Sequence, residues 1–250
     1  MGELIQTPTI EVVEETGSTN ADLLQRLGSG EDLAEGYWLQ AERQTGGRGR
    51  LGRKWESPKG NLFCSTLVSL RDGDPPAHTL SFVAGLAVAD TLRRSLFANT
   101  PIMLKWPNDA LVRGDKIAGI LLERTGASVV VGIGVNVCYA PEVPGRQTTS
   151  ILYENGKHGG NPGLVLSILA DAFAARLMQW REQPLAQTLD DWTNVAHPIG
   201  SQLSVGPGDE AVTGVFAGLD EDGALLLRLA NGALRTIHAG DVSMITQGNS

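Results

Sequence analysis

The stretch GGRGRLGRKW, residues 46–55, restricts the fold more than any other part of this chain. Gly47, Gly49 and Gly52 have the spacing of a dinucleotide-binding fingerprint. That spacing has meaning only where a strand passes into a helix whose first amides hold a pyrophosphate. Here Arg48, Arg50, Leu51, Arg53 and Lys54 surround the glycines, and Pro58 and Gly60 follow. No helix of useful length starts in such a segment. GYWLQAERQ before it and NLFCSTLVSL after it read as strands. The segment is therefore a loop between strands, and a dinucleotide-binding crossover is excluded.

The loop is also an electrostatic exception. The chain carries a net charge of −8 over 250 residues, yet residues 42–59 hold Arg43, Arg48, Arg50, Arg53, Lys54 and Lys59 against Glu42 and Glu56. A solvated charged loop does not require glycine at 46, 47, 49 and 52. Each glycine costs roughly 0.5–1 kcal/mol relative to alanine when it is ordered. The expectation is a loop that is mobile when empty and ordered by an anion. The acidic balance and the lack of a basic arm speak against double-stranded nucleic acid as a partner.

Other classes fall away quickly. No apolar run approaches a membrane span. The start, MGELIQTPTI, has no secretory pattern, and Gln6 spoils a myristoylation match. Cys64 and Cys138 lie in apolar, strand-like runs. They read as buried thiols in a reducing cytosol, with a disulfide as the alternative. The four histidines are scattered, which argues against a zinc site.

With 42% apolar residues the chain can bury a sizeable core. GSTNADLLQRL predicts a first helix capped by Ser18 or Thr19. LSFVAGLAVADTLRRSLF predicts a buried helix, and NPGLVLSILADAFAARLMQW another with Pro162 near its start. Between these helices, PIMLKW, DALVRGDKIAGILLE and SVVVGIGVNVCYA predict strands, with a hairpin turn at residues 113–115. From about residue 196 the pattern changes to short strands with turns at GPGD, LDEDG, LANG and HAGD. This predicts a small separate barrel.

Several patches put polar groups where packing alone would not. Ser18, Thr19 and Asn20 can cap a helix, but together they also suit a neutral polar group such as a urea. Asn108 and Asp109 follow Pro107, which ends a strand. They form a turn, or they offer ligand groups at a strand end. Lys116 begins a strongly apolar strand, a costly place for an ammonium without an anion. Gly132 and Gly134 remove side chains from one face of a strand and leave a flat floor, with Asn136 on the same face.

In this order, STN, AERQTGGRGRLGRKW, LKWPND, DKIAGIL and GIGVNV resemble the bacterial biotin protein ligases (biotin–acetyl-CoA-carboxylase ligases). Leu51 departs from the resemblance, since many relatives carry a basic residue there. The resemblance implies an α+β fold: a mixed β-sheet flanked by helices, like the class II synthetases, over residues 1–196. A C-terminal SH3-like β-barrel would occupy residues 197–250. It also implies ATP-dependent activation of biotin to biotinoyl-AMP and transfer to a lysine of a biotin carboxyl carrier protein, in acetyl-CoA carboxylase or a related carboxylase. Magnesium would accompany ATP, with no protein metal site. Lys116, Arg50 and Asp109 would be catalytic. Biotin would contact Ser18, Thr19, Asn20, Gln44, Gly47, Arg48, Gly49, Arg50, Lys116, Gly119, Gly132 and Gly134. ATP would be held by Arg48, Arg50, Arg53, Trp55, Asn108, Lys116 and Asn136.

The short stretch before the first helix leaves no room for the DNA-binding helix-turn-helix of some relatives. The implied protein is cytoplasmic, binds neither DNA nor membrane, and can pair as a homodimer along a strand edge. The rival readings are a lipoate or octanoate ligase of the same fold and a non-catalytic biotin sensor.

Overall fold

The computed structural model describes residues 8–156, 160–206 and 211–244. Most of the N-terminal decapeptide and of the GPGD turn therefore lies outside the described residues. A seven-stranded sheet forms the larger part, in the order β1-β2-β3-β7-β6-β5-β4. Its strands are β1 (Ile10–Thr16), β2 (Trp38–Gln44), β3 (Leu62–Ser69), β4 (Ile102–Lys105), β5 (Asp109–Val112), β6 (Asp115–Thr125) and β7 (Ser128–Val135). Only β1 and β2 pair in parallel, joined through helix α1 (Thr19–Gly28); the other ladders are antiparallel, so the sheet is mixed. The β5–β6 hairpin turns on Arg113 and Gly114, both with positive φ, which matches the right-handed twist of its strands.

Side-chain alternation divides the sheet into two unequal faces. Val129, Val131, Ile133 and Val135 of β7, with Ala118 and Ile120 of β6, enter the main core. Helices α2 (Leu80–Ser95), α4 (Pro162–Glu182) and α5 (Leu185–Val195) cover that side. Trp38 and Phe173 meet edge-to-face there at 5.6 Å. On the other face, among the described residues, α1 is the helix that supplies cover, through Leu23 against Leu39 and Val130. A helix this short leaves the β6–β7 half of the face open. Gly119, Gly132 and Gly134 lie in that open half.

The predicted helices α1, α2 and α4 form, and Asn161 caps α4 with Pro162 at its first position. Ser18 takes the N-cap backbone position of α1, but its side chain makes no capping bond. The cap expected there is therefore corrected, and the hydroxyl is left free. Helix α4 is long and apolar enough to cross a membrane by length and composition alone. Its apolar side packs in the core and Arg176 and Arg181 pair with acids, so it reads as a core helix. Strand β1, short helix α3 (Ile151–Glu154) and α5 have no counterpart in the sequence prediction.

The C-terminal part is a five-stranded antiparallel sheet, in the order β11-β10-β9-β8-β12. Its strands are β8 (Gln202–Val205), β9 (Val212–Leu219), β10 (Leu225–Arg228), β11 (Leu234–Ile237) and β12 (Val242–Met244). Among the described residues β11 and β12 do not pair, so the ladder is not closed around. This part packs on the larger one: Leu203, Phe216, Leu225, Leu227 and Val242 belong to the same core as α2. Gly223 carries this contact, since a Cβ there would stand 2.4 Å from Phe82. The Trp106 indole donates to the Gly223 carbonyl at 3.1 Å.

Candidate active site

The open half of the large sheet is the floor of a cavity of about 330 Å³. At one end is a buried polar cluster. Gln44, at the end of β2, accepts from the Thr19 amide at 2.9 Å and from its hydroxyl at 3.2 Å. The Ser65 hydroxyl lies 2.6 Å from both Thr19 Oγ1 and Asn20 Oδ1, and Asn20 Nδ2 donates to Glu123 at 2.8 Å. Such a network is rigid because every member has a partner. The unbonded Ser18 hydroxyl borders it.

The glycines of β6 and β7 exist for close approach. A Cβ at Gly132 would stand 2.2 Å from Asn20 Oδ1, and one at Gly134 would stand 2.7 Å from the Trp55 indole. At Gly119 it would stand 2.9 Å from the same ring. The flat floor thus carries the protein's own Asn20 and Trp55, and a ligand would meet those side chains as well as bare backbone. Trp55 Nε1 is buried without a partner.

Above the floor the glycine–arginine loop folds back as a small hairpin. The Gly49 amide donates to the Arg53 carbonyl at 2.7 Å, and the Trp55 amide donates to the Gly47 carbonyl at 2.9 Å. Arg48, Gly49, Arg50, Arg53 and Lys54 line the cavity, and Arg50 Nη1 is buried without a partner. Buried donors without acceptors are costly. Gly47 is placed differently from the expectation. It lies below the lining, where a Cβ would strike Ser57 Oγ at 2.6 Å and the Trp55 carbonyl at 2.7 Å. It permits the turn and does not face the cavity. Arg53 grips Asp241 of the C-terminal sheet with both terminal nitrogens, at 2.7 and 2.9 Å. Burial raises the Asp241 carboxyl, but the Arg53 bond and charge outweigh it and hold it below the usual value.

Beyond the floor lies an ionic knot. Asp109, at the start of β5, bonds Lys116 closely and stands 3.5 Å from Lys105 and 3.3 Å from Arg146. Burial draws the Lys116 and Lys105 ammonium groups below their ordinary value, against the pull of Asp109. Lys116 Nζ also lies over the Trp55 ring, 5.2 Å from its centroid. The anion that a cation at this strand position requires is thus Asp109 itself. Asn108 and Asn136 hold backbone: Asn108 donates to Ile120 O at 2.7 Å and Asn136 to Thr149 O at 3.0 Å. Asn136 Oδ1 remains buried and unpartnered at the cavity.

One cavity therefore combines a neutral hydrogen-bonding end, a floor under an indole, and a cationic roof with unsatisfied donors. Family comparison places the chain that carries this cavity. Residues 13–137 match the biotin/lipoate A/B protein ligase family, and residues 199–244 match the biotin protein ligase C-terminal domain. This chain belongs to the biotin/lipoate A/B protein ligase family.

Within that family it is 41% identical to the biotin–[acetyl-CoA-carboxylase] ligase of Mycobacterium tuberculosis, over 93% of this chain and 88% of the relative. It is 38% identical to the enzyme of the same description from Paracoccus denitrificans, over 85% and 91% of the two chains. The biotin protein ligase from Aquifex aeolicus, solved in complex with biotin and ATP, superposes with a TM-score of 0.80 at 29% identity, covering 95% of this chain and 98% of that one. Like that fold, this one is a mixed sheet flanked by helices with a small C-terminal sheet.

Apart from Gly47, every site residue expected from the sequence lines the cavity. Sequence reasoning missed Ser65, Glu123, Lys105, Arg146 and Asp241. Ser65 had a signal, a polar residue inside the apolar run of β3, and Lys105 stands four residues before Asp109. Arg146 and Asp241 had none, because distant loops bring them in.

Proposed function

We propose that this chain is a biotin protein ligase that forms biotinoyl-AMP from biotin and ATP and transfers biotin to a lysine of a biotin carboxyl carrier protein. The observation that carries this reading is the pair of buried, unsatisfied donors, Arg50 Nη1 and Trp55 Nε1. They face the same cavity as the neutral Thr19–Asn20–Gln44–Ser65 cluster. An acceptor-rich ligand satisfies these donors, and an uncharged polar head fits beside the already paired neutral cluster.

In the first step a carboxylate oxygen of biotin attacks the α-phosphorus. A new O–P bond forms and the bond to pyrophosphate breaks. Both reactants are anionic, so the barrier is largely electrostatic and positional. Arg48 and Arg50 neutralise the phosphates, with bidentate geometry available to a guanidinium, and Arg53, which Asp241 holds through both terminal nitrogens, adds its charge beside them. Lys116 leans from Asp109 toward the reacting oxygens and stabilises the charge that gathers there. Ser18, Thr19, Asn20 and Gln44 hold the ureido head over Gly119, Gly132 and Gly134, while Trp55, Asn108 and Asn136 flank the nucleotide. Among the described residues no group of three or more His, Cys, Asp or Glu side chains gathers as a metal site, and cations surround Asp109. Magnesium would therefore be held by the nucleotide's phosphates and water, screening their charge. In the second step the carrier lysine attacks the acyl carbon and AMP leaves, with Asp109 orienting the amine.

Residues 1–196 would act as the catalytic unit, with 197–250 adding Asp241. The free thiols Cys64 and Cys138 favour a cytosolic location. Pairing of two copies would use a free edge of the large sheet, and the mass in solution reads it directly. The deciding experiment is biotin-dependent exchange of labelled pyrophosphate into ATP, with lipoate as the competing substrate. Exchange with biotin alone is the expected result. Binding without exchange would indicate a sensor, and exchange with lipoate a lipoate ligase.

A further inference from the structure

Asp109 has two oxygens and three cationic neighbours, and these neighbours are unequal. Lys116 takes Oδ1, while Lys105 and Arg146 share Oδ2 at 3.5 and 3.3 Å. The two lysine side chains are 11% and 14% exposed and rise from strands. The Arg146 side chain is 30% exposed and comes from the connection between β7 and α3, at the mouth of the cavity. Its contact is shorter than that of Lys105, but it belongs to the most exposed of the three side chains and is the one not anchored on a strand, and exposed ion pairs contribute least. It is the one that an incoming cation displaces.

A guanidinium keeps its proton throughout the physiological range and is a poor nucleophile. Next to an activated acyl group it therefore occupies a cation site without reacting. A lysine ammonium carries the same charge and similar reach, but it can lose its proton and attack.

We propose that Asp109 Oδ2 is the seat of the acceptor lysine, and that Arg146 holds this seat until the carrier lysine displaces it. The inference rests on the ligase reading above. In the transfer, the carrier ammonium takes Arg146's place at Asp109 Oδ2 and gives up one proton to become an amine. The Nζ–C bond then forms as the C–O bond to the AMP phosphate breaks, and the electron pair leaves on the phosphate. A second proton departs as the amide forms, and both reach water past Asp109. With no acceptor present, Arg146 keeps small stray amines away from the mixed anhydride.

The substitution Arg146→Lys tests this directly, because it puts a reactive amine in the seat. Incubated with biotin and ATP and no carrier, that variant should label itself, and mass spectrometry of its peptides should locate biotin at position 146. Arg146→Gln is the second measurement. Aminolysis of its bound biotinoyl-AMP by N-acetyl-lysine amide should be a few-fold faster than in the unmodified chain, up to about fivefold for so weak an ion pair. Label spread over surface lysines or absent from position 146, together with unchanged aminolysis in Arg146→Gln, overturns the seat while pyrophosphate exchange leaves the ligase reading standing. Absence of exchange in the unmodified chain overturns the ligase reading itself, and the seat with it.

Discussion

Lys116 carries a charge that burial penalises and Asp109 restores, so its position in the ligand-free protein is already stabilised. Adenylation asks it to face new negative charge that exists only as the phosphate is attacked. An interaction of that kind lowers the barrier more than it tightens ground-state binding. Lys116→Ala should therefore cut pyrophosphate exchange by about a hundredfold or more while biotin affinity changes little. Lys105 and Arg146 keep Asp109 paired in that variant, so it should remain folded. Near-normal exchange would remove Lys116 from the mechanism. The floor glycines make an opposite demand. Valine suits a strand, but its Cβ at position 132 would evict Asn20 from Ser65 and Glu123, and at position 134 would push Trp55 off the sheet. Gly132→Val and Gly134→Val should each fold, as circular dichroism would report, and each should lose biotin binding in a titration. Unchanged affinity in both would mean that these glycines serve packing alone.

The glycine–arginine loop is the element in which sequence and structure agree most closely in kind. Its glycines, its lack of an α-helix (one 3-10 turn forms at Arg50–Gly52) and its basic side chains were all legible, because each is a local property of the chain. The loop–strand alternation and the β5–β6 hairpin were legible for the same reason. Strand β1 was not: its burial pattern is mostly exposed, so the period-two signal of a half-buried strand is missing. The short α3 and the α5 helix likewise depend on what they pack against. In the loop, the ligand-free hairpin rests on few backbone bonds and on the partly exposed Arg53–Asp241 pair, which contribute little. Like charges on Arg48, Arg50, Arg53 and Lys54 oppose its closure until an anion arrives. Limited trypsin digestion should therefore cut at these residues quickly in the free protein and slowly with biotin and ATP together. Equal cleavage with and without ligands would show that the loop is not ordered by them, and its arginines would need another role.

At the scale of the whole molecule, the two sheets share one core, and the connection between them runs along the β4 edge of the large sheet. Ala196 bridges to Leu104, and the next residue, His197, is only 2% exposed, with Nδ1 3.1 Å from Met103 Sδ and Nε2 without a partner. Burial, aided by the nearby Lys105 charge, draws the His197 imidazole down to about 4 from its ordinary 6.5. The folded chain thus binds fewer protons here than the unfolded chain between those two values. Folding stability from this group is fully present above pH 6.5 and drains away as pH falls toward 4. A shift of that size corresponds to about 3 kcal/mol, an appreciable share of a typical domain's stability. Protonation would put a second buried cation beside Lys105, next to the Asp109 knot, so acid should loosen the domain connection and the site together. His197→Gln replaces the imidazole with a group that does not titrate. Its melting temperature should be lower than that of the unmodified chain at pH 7.5, through lost packing, but should fall less between pH 7.5 and 4.5. Other carboxylates contribute equally to acid loss in both proteins, so the difference between the two curves isolates His197. Parallel curves across that range would mean that His197 is not the group that makes this connection acid-sensitive.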